Sequence, residues 1–134
     1  MKGYAIQIEE ETRKNNYFRK VLYTAEHSQL VLMCVKPGDE LGSEVHEHSD
    51  QFFRFEAGQG KVVIDGVEHI VKDGVGVIVP SGATHNVINT SKTAELKMYT
   101  IYSPPHHRDG VIHRTKAEAE ADKEHFGGKT TEKK

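Results

Sequence analysis

Between residues 17 and 103 the chain is a succession of short β-branched and aromatic runs, with a turn signal in nearly every gap. The runs fall at 17–23, 30–35, 51–56, 61–65, 68–71, 75–79, 86–89 and 96–103. The gaps hold Pro37-Gly38, Ala57-Gly58-Gln59-Gly60, Asp65-Gly66, Asp73-Gly74, Ser81-Gly82 and Asn89-Thr90-Ser91-Lys92. Strands this short, separated by turns this frequent, predict an all-β sandwich or barrel rather than alternating β-α units. Asp65-Gly66 between two alternating runs is the strongest hairpin signal.

With 134 residues the chain is expected to form one domain with a core of its own. Residues 1–16 read as an N-terminal edge segment, with a short strand over residues 1–8 and a polar loop or helical turn after it. Residues 17–105 read as the barrel, and 106–134 as a loop, a surface helix and a tail. Pro104-Pro105 ends the inner strands, because proline has no donor for a ladder. Thr115 caps a good helix-forming stretch to Glu124. The polar, glycine-bearing end from Gly127 is expected to be disordered.

The formal net charge of -2, from 18 basic and 20 acidic side chains, attracts neither nucleic acid nor an anionic membrane. The one cysteine, Cys34, lies in an apolar run and reads as a small buried hydrophobe. No apolar stretch is long enough to span a bilayer, and no signal-peptide pattern is present, so a cytoplasmic protein is expected.

His46 and His48 flank Glu47, and positions two apart on a strand share a face. Glu44 has the same phase. Gln51 opens the next run, and its amide oxygen is a candidate ligand. His85 comes from a distant strand, after the Pro80–Gly82 turn. Phe53 and Phe55 share the phase of Gln51, as core or as the wall of a substrate pocket, while Phe52 and Arg54 face outward. Glu44, Asp50, Tyr99 and Tyr102 are the nearby candidates for general acid or base work, with Glu44 slightly favoured. A lone His-x-His is commonplace on a surface strand, so its weight depends on His85. His106, His107 and His113 could form a second site, but read more simply as a loop lying against the barrel.

The spacing Gly74-x5-Pro80-x-Gly82-x2-His85-x3-Asn89, together with His46, His48 and Gly58, resembles the two sequence motifs of the cupin superfamily. The resemblance covers residues 30–103 and is that of a small single-domain cupin. It implies an antiparallel double-stranded β-helix, a jelly-roll barrel of roughly six to eight strands, here with a short C-terminal helix and a disordered tail. It also implies one divalent metal ion per chain held by His46, His48, His85 and Gln51, which stands where the family has a glutamate. Gly58, Gly74, Gly82 and Asn89 would be structural. A neutral amide in place of a carboxylate leaves the metal more positive, and a 2-His-1-carboxylate triad is absent unless Glu44 or Asp50 contributes. Zinc, manganese, iron, nickel and cobalt all remain open.

Function is expected to be that of a small metalloenzyme acting on an oxygen-rich small molecule by dioxygenase-type oxidation. The alternatives are a sugar isomerase of the mannose-6-phosphate isomerase kind and a non-catalytic small-ligand binding or sensing module. Fold does not select among these. The outward Phe52 suggests a homodimer.

Overall fold

The run Leu30-Val-Leu-Met-Cys-Val35 has no polar alternation, so a strand built from it must be covered on both faces. In the computed structural model, which describes residues 1–133, that strand is β2 (Gln29–Val35), and Val31 through Val35 are all buried. Its neighbours are β1 (Arg19–Thr24) and β9 (Leu96–Ser103). They belong to a six-stranded antiparallel sheet completed by β10 (Ile112–His113), β4 (Asp50–Ala57) and β7 (Gly76–Val79), in the order β10-β1-β2-β9-β4-β7. The facing sheet has the order β3-β8-β5-β6, from β3 (Glu44–Val45), β8 (Thr84–Asn89), β5 (Gln59–Ile64) and β6 (Val67–Lys72).

The inward faces interdigitate. β9 buries Leu96, Met98, Thr100 and Tyr102 in strict alternation, and β4 buries Gln51, Phe53 and Phe55. All eight expected strands are present, within a residue or two. The short β3 and β10 are additional. Asp65 and Gly66 both have positive φ (46° and 82°), the two-residue turn whose twist suits the β5–β6 hairpin. Gly58 is required for a different reason. Its φ is 87°, and a Cβ there would lie 2.3 Å from the Glu95 carbonyl oxygen. Asn89 closes the other end of β8: its amide nitrogen donates to the carbonyls of Val35, Lys36 and Ala94, and its oxygen accepts from the Ser91 amide.

The ends differ from expectation. No strand forms over residues 1–7; helix α1 (Ile8–Lys14) starts instead and contacts β9 and β4. Lys97 on β9 points outward and fastens this segment by donating to the Arg13 carbonyl and the Asn16 side chain. Helix α2 (Lys116–Ala121) forms where expected, with the Thr115 hydroxyl accepting from the Glu118 amide. The segment expected to be disordered, from Gly127 to Lys133, has no regular element but is tied to the fold. Thr131 exchanges hydrogen bonds with Thr24, and the Glu132 carboxylate accepts from the Lys2 and Gly3 amides and from Tyr23. Polar composition alone could not show partners supplied by the first strand and the N-terminus.

Candidate metal centre

The centre is built where β3 meets β8. Glu44 pairs with His85 across this ladder, so the two side chains stand side by side on the inner face. His46 lies two residues beyond Glu44, and the Pro80–Gly82 turn fixes it from behind: the Gly82 amide donates to the His46 carbonyl, and the Ser81 amide to Asp50. One ligand atom each from Glu44, His46 and His85 lies within 4.8 Å of the others, close enough to hold a metal ion. His46 Nε2 is buried 3.2 Å from Glu44 Oε2 and has no other polar partner among the described residues.

His48 is exposed and lies outside this group. β3 ends at Val45 and the chain bends at 47–48, so the strand alternation that paired His46 with His48 does not extend to it. Alternation does hold between Glu44 and His46. The group therefore contains one carboxylate, and the charge argument built on Gln51 alone no longer applies. Gln51 is buried on β4, opposite Tyr102. Its amide nitrogen donates to Thr100 Oγ1 at 3.0 Å, and its Oε1 has no partner among the described residues. Phe53 is fully buried with its ring 6.5 Å from His85, and Phe55 stacks behind it at 6.1 Å, within the core cluster. Asp50 is committed to the Ser81 amide, and Tyr99 packs against Phe52 on the outer face.

The loop after Pro105 contributes more than its sequence indicated. The His106 ring lies 4.2 Å from His46 and stacks on Tyr102 at 5.2 Å. Burial, with His107 and His46 nearby, pushes its pKa down to about 4. His107 Nδ1 is 2.7 Å from Glu124, and its Nε2 is 3.2 Å from the Tyr102 hydroxyl. Burial holds the His107 pKa down, with Glu124 opposing. Nδ1, facing a carboxylate, is the nitrogen placed to donate, and Nε2 meets the Tyr102 hydroxyl. Burial alone would raise the pKa of Glu124, but His107 and the Arg108 amide outweigh it and bring it to about 2. Burial lowers the pKa of His85, and it raises that of Tyr102. Burial opposes ionisation of Glu44, yet His46, Arg19 and His85 together keep it below the usual carboxylate value. The centre thus has a carboxylate anion, a neutral His85 lone pair and an un-ionised phenol side by side.

The cupin domain model matches residues 31–102, more than half of the chain. The chain belongs to the cupin family. It is 42% identical over 126 residues to YrkC of Bacillus subtilis, an alignment spanning 90% of this chain and 67% of that protein. The crystal structure of BH2720 from Bacillus halodurans superposes with a TM-score of 0.86 at 40% identity, covering 89% of this chain and 94% of that one. A partial likeness, 34% over 64 residues, links it to the mannose-1-phosphate guanylyltransferase of Escherichia coli; it spans 48% of this chain and 13% of that enzyme. No helix among the described residues is long and apolar enough to cross a membrane. Cys34 is buried, as a small hydrophobe should be.

Proposed function

We propose that this cupin is a metal-dependent enzyme acting on a small oxygen-rich molecule, with a dioxygenase-type oxidation as the favoured reaction. The reading rests on the Glu44, His46 and His85 group, a two-histidine, one-carboxylate donor set. The buried Gln51 Oε1 supports it, because buried polar atoms without partners are rare in a finished interior, and so does His46 Nε2, which has only Glu44 beside it among the described residues. Glu44, His46 and His85 would hold the ion, with Gln51 Oε1 as a further donor. A bound divalent ion would supply Lewis acidity and, as iron, electrons for oxygen. The chain supplies the rest. Neutral His85 presents a lone pair, Phe53 keeps water from its side of the ring, and His107 with Glu124 holds the Tyr102 hydroxyl beside His46.

The test is to load the purified protein separately with iron(II), manganese, nickel, cobalt and zinc, and to measure oxygen uptake against a panel of hydroxy acids, keto acids and catechols. Iron-dependent uptake that is lost in His85→Ala supports the reading. Full metal loading with no turnover of any substrate favours a binding or sensing module. A second reading, sugar isomerisation, is favoured only by the partial guanylyltransferase likeness; anaerobic aldose–ketose exchange would establish it. We further propose a homodimer through the outer face of the six-stranded sheet, where Phe52 packs on Tyr99 and pairs with the exposed Ile78. Sedimentation at micromolar concentration tests this.

A further inference from the structure

Among the buried polar atoms without a hydrogen bond, His46 Nε2 still faces Glu44 at 3.2 Å, and the Arg54 and Glu56 atoms face each other at 3.0 Å. Only Gln51 Oε1 and Arg19 Nε have no such neighbour among the described residues. Arg19 is the more unusual. It lies on β1 in phase with Val21, so it points inward, and it is only 9% exposed. A guanidinium is costly to bury without a partner. Nη1 lies 3.1 Å from His113 Nδ1, and the guanidinium carbon sits 5.3 Å from the Phe18 ring centroid. Among the described residues, Arg19 makes no ion pair with a carboxylate within 4 Å, and its Nε–Nη2 edge makes no hydrogen bond. That edge is the one whose two parallel N–H groups match a carboxylate.

Arg19 lines a cavity of about 200 Å³ that also reaches Glu44 and His107 and is bordered by Lys116 and Ala119 of α2. At roughly 30 Å³ per water, this holds a ligand of only a few heavy atoms. Of the other charged groups around it, Glu44 belongs to the metal group and is kept ionised in part by Arg19 itself, and three more are engaged elsewhere. Glu124 is bound to His107 and the Arg108 amide, Asp122 to His113, and Lys116 to Asp39; Glu120 is exposed. Arg19 therefore brings a buried guanidinium edge, with no hydrogen bond among the described residues, to the wall of a cavity that also includes a member of the metal group.

We propose that Arg19 is the anchor for a small carboxylate, a 2-hydroxy or 2-oxo acid, whose second oxygen faces the Glu44–His46–His85 centre. This gives the metal-centre reading above a substrate class and rests on it, although the carboxylate subsite can be tested separately. In the ¹H–¹⁵N spectrum of the wild-type protein, the Nε–H resonance of Arg19, assigned with Arg19→Lys, is followed during titration with lactate, pyruvate, neutral lactamide and inorganic phosphate. The expected result is a saturable shift with lactate or pyruvate that is absent with lactamide, while the Nε–H resonances of Arg13 and Arg114 stay in place. Calorimetry should show the carboxylate Kd rising at least tenfold in Arg19→Lys and Arg19→Gln, with the metal content unchanged by elemental analysis. Equal response to lactamide, a larger response to phosphate, or no shift with either acid at millimolar concentration overturns the subsite. Carboxylate binding that survives Arg19→Gln but is lost in His85→Ala also overturns it, since the acid would then bind only to the metal. If no metal loads but the Arg19 shift persists, the subsite stands and the metal reading fails.

Discussion

Glu44→Gln distinguishes the ligand set given by the fold from the one suggested by the His-x-His pattern. The substitution keeps the shape and an oxygen donor but removes one negative charge from a group of atoms lying within 4.8 Å of one another. A pair of unit charges about 4 Å apart, at an effective dielectric near 20, interacts by about 4 kcal/mol. A divalent ion doubles this to about 8 kcal/mol, and the cost of dehydrating the carboxylate offsets several kcal/mol of it. The net loss is then about 4 kcal/mol, or about a thousandfold in metal affinity. Titration of cobalt(II) or zinc against a competing chelator measures it directly. His48→Ala serves as the matched control. His48 is exposed and outside the group, so its removal should leave affinity within about threefold of wild type, a difference of less than 1 kcal/mol. If Glu44→Gln binds within tenfold of wild type, or His48→Ala weakens binding as much as His85→Ala does, the geometry has been misread.

Gly58→Ala places a methyl 2.3 Å from the Glu95 carbonyl at a φ of 87°, so a loss of about 3 kcal/mol is expected in urea unfolding, with the slope unchanged. Asn89→Ala strands the carbonyls of Val35, Lys36 and Ala94; a loss of similar size, about 3 kcal/mol, should appear with secondary structure intact by circular dichroism. Glu124 has a folded pKa of about 2, below its ordinary value of 4.5, so its contribution is complete above pH 4.5 and fades as the pH falls toward 2. Glu124→Gln should therefore cost about 2 kcal/mol at pH 7, with the gap to wild type closing below pH 4.5 in thermal melts; a gap constant with pH would refute the assignment.

The barrel was readable because its information is local. Alternation along β4 places Gln51, Phe53 and Phe55 inward, and Asp65-Gly66 locates its hairpin. The second motif placed His85 and Asn89 on one strand and one face. Legibility falls off where regular backbone stops. His46 and His48 fit a strand rule, but a bend at 47–48 ends that rule one residue after Val45. Glu44 has the right phase and is a candidate both for acid or base work and as a contributing carboxylate, but nothing in one sequence says which of two neighbours a cross-strand partner will face. That the loop at 106–107 lies against the barrel is legible, but its partners are not, since they sit on β2, β9 and at His46, and Glu124 hydrogen-bonds only to that loop among the described residues. Arg19 was within reach: it shares the phase of Val21, and a cation on the inner face of a strand was the signal.

The stretch from Pro104 to Glu124 lies beyond the matched domain, which ends at residue 102, yet it brings His106 against His46 and walls the Arg19 cavity with α2. The donor atoms and the wall beside them are thereby written in separate lengths of the gene. A descendant could exchange the closing stretch, and with it the molecules allowed to approach, while the barrel and its donor atoms stay as they are. Trimming the chain to its matched core would keep Glu44, His46 and His85 but remove Arg19, His106 and α2 together.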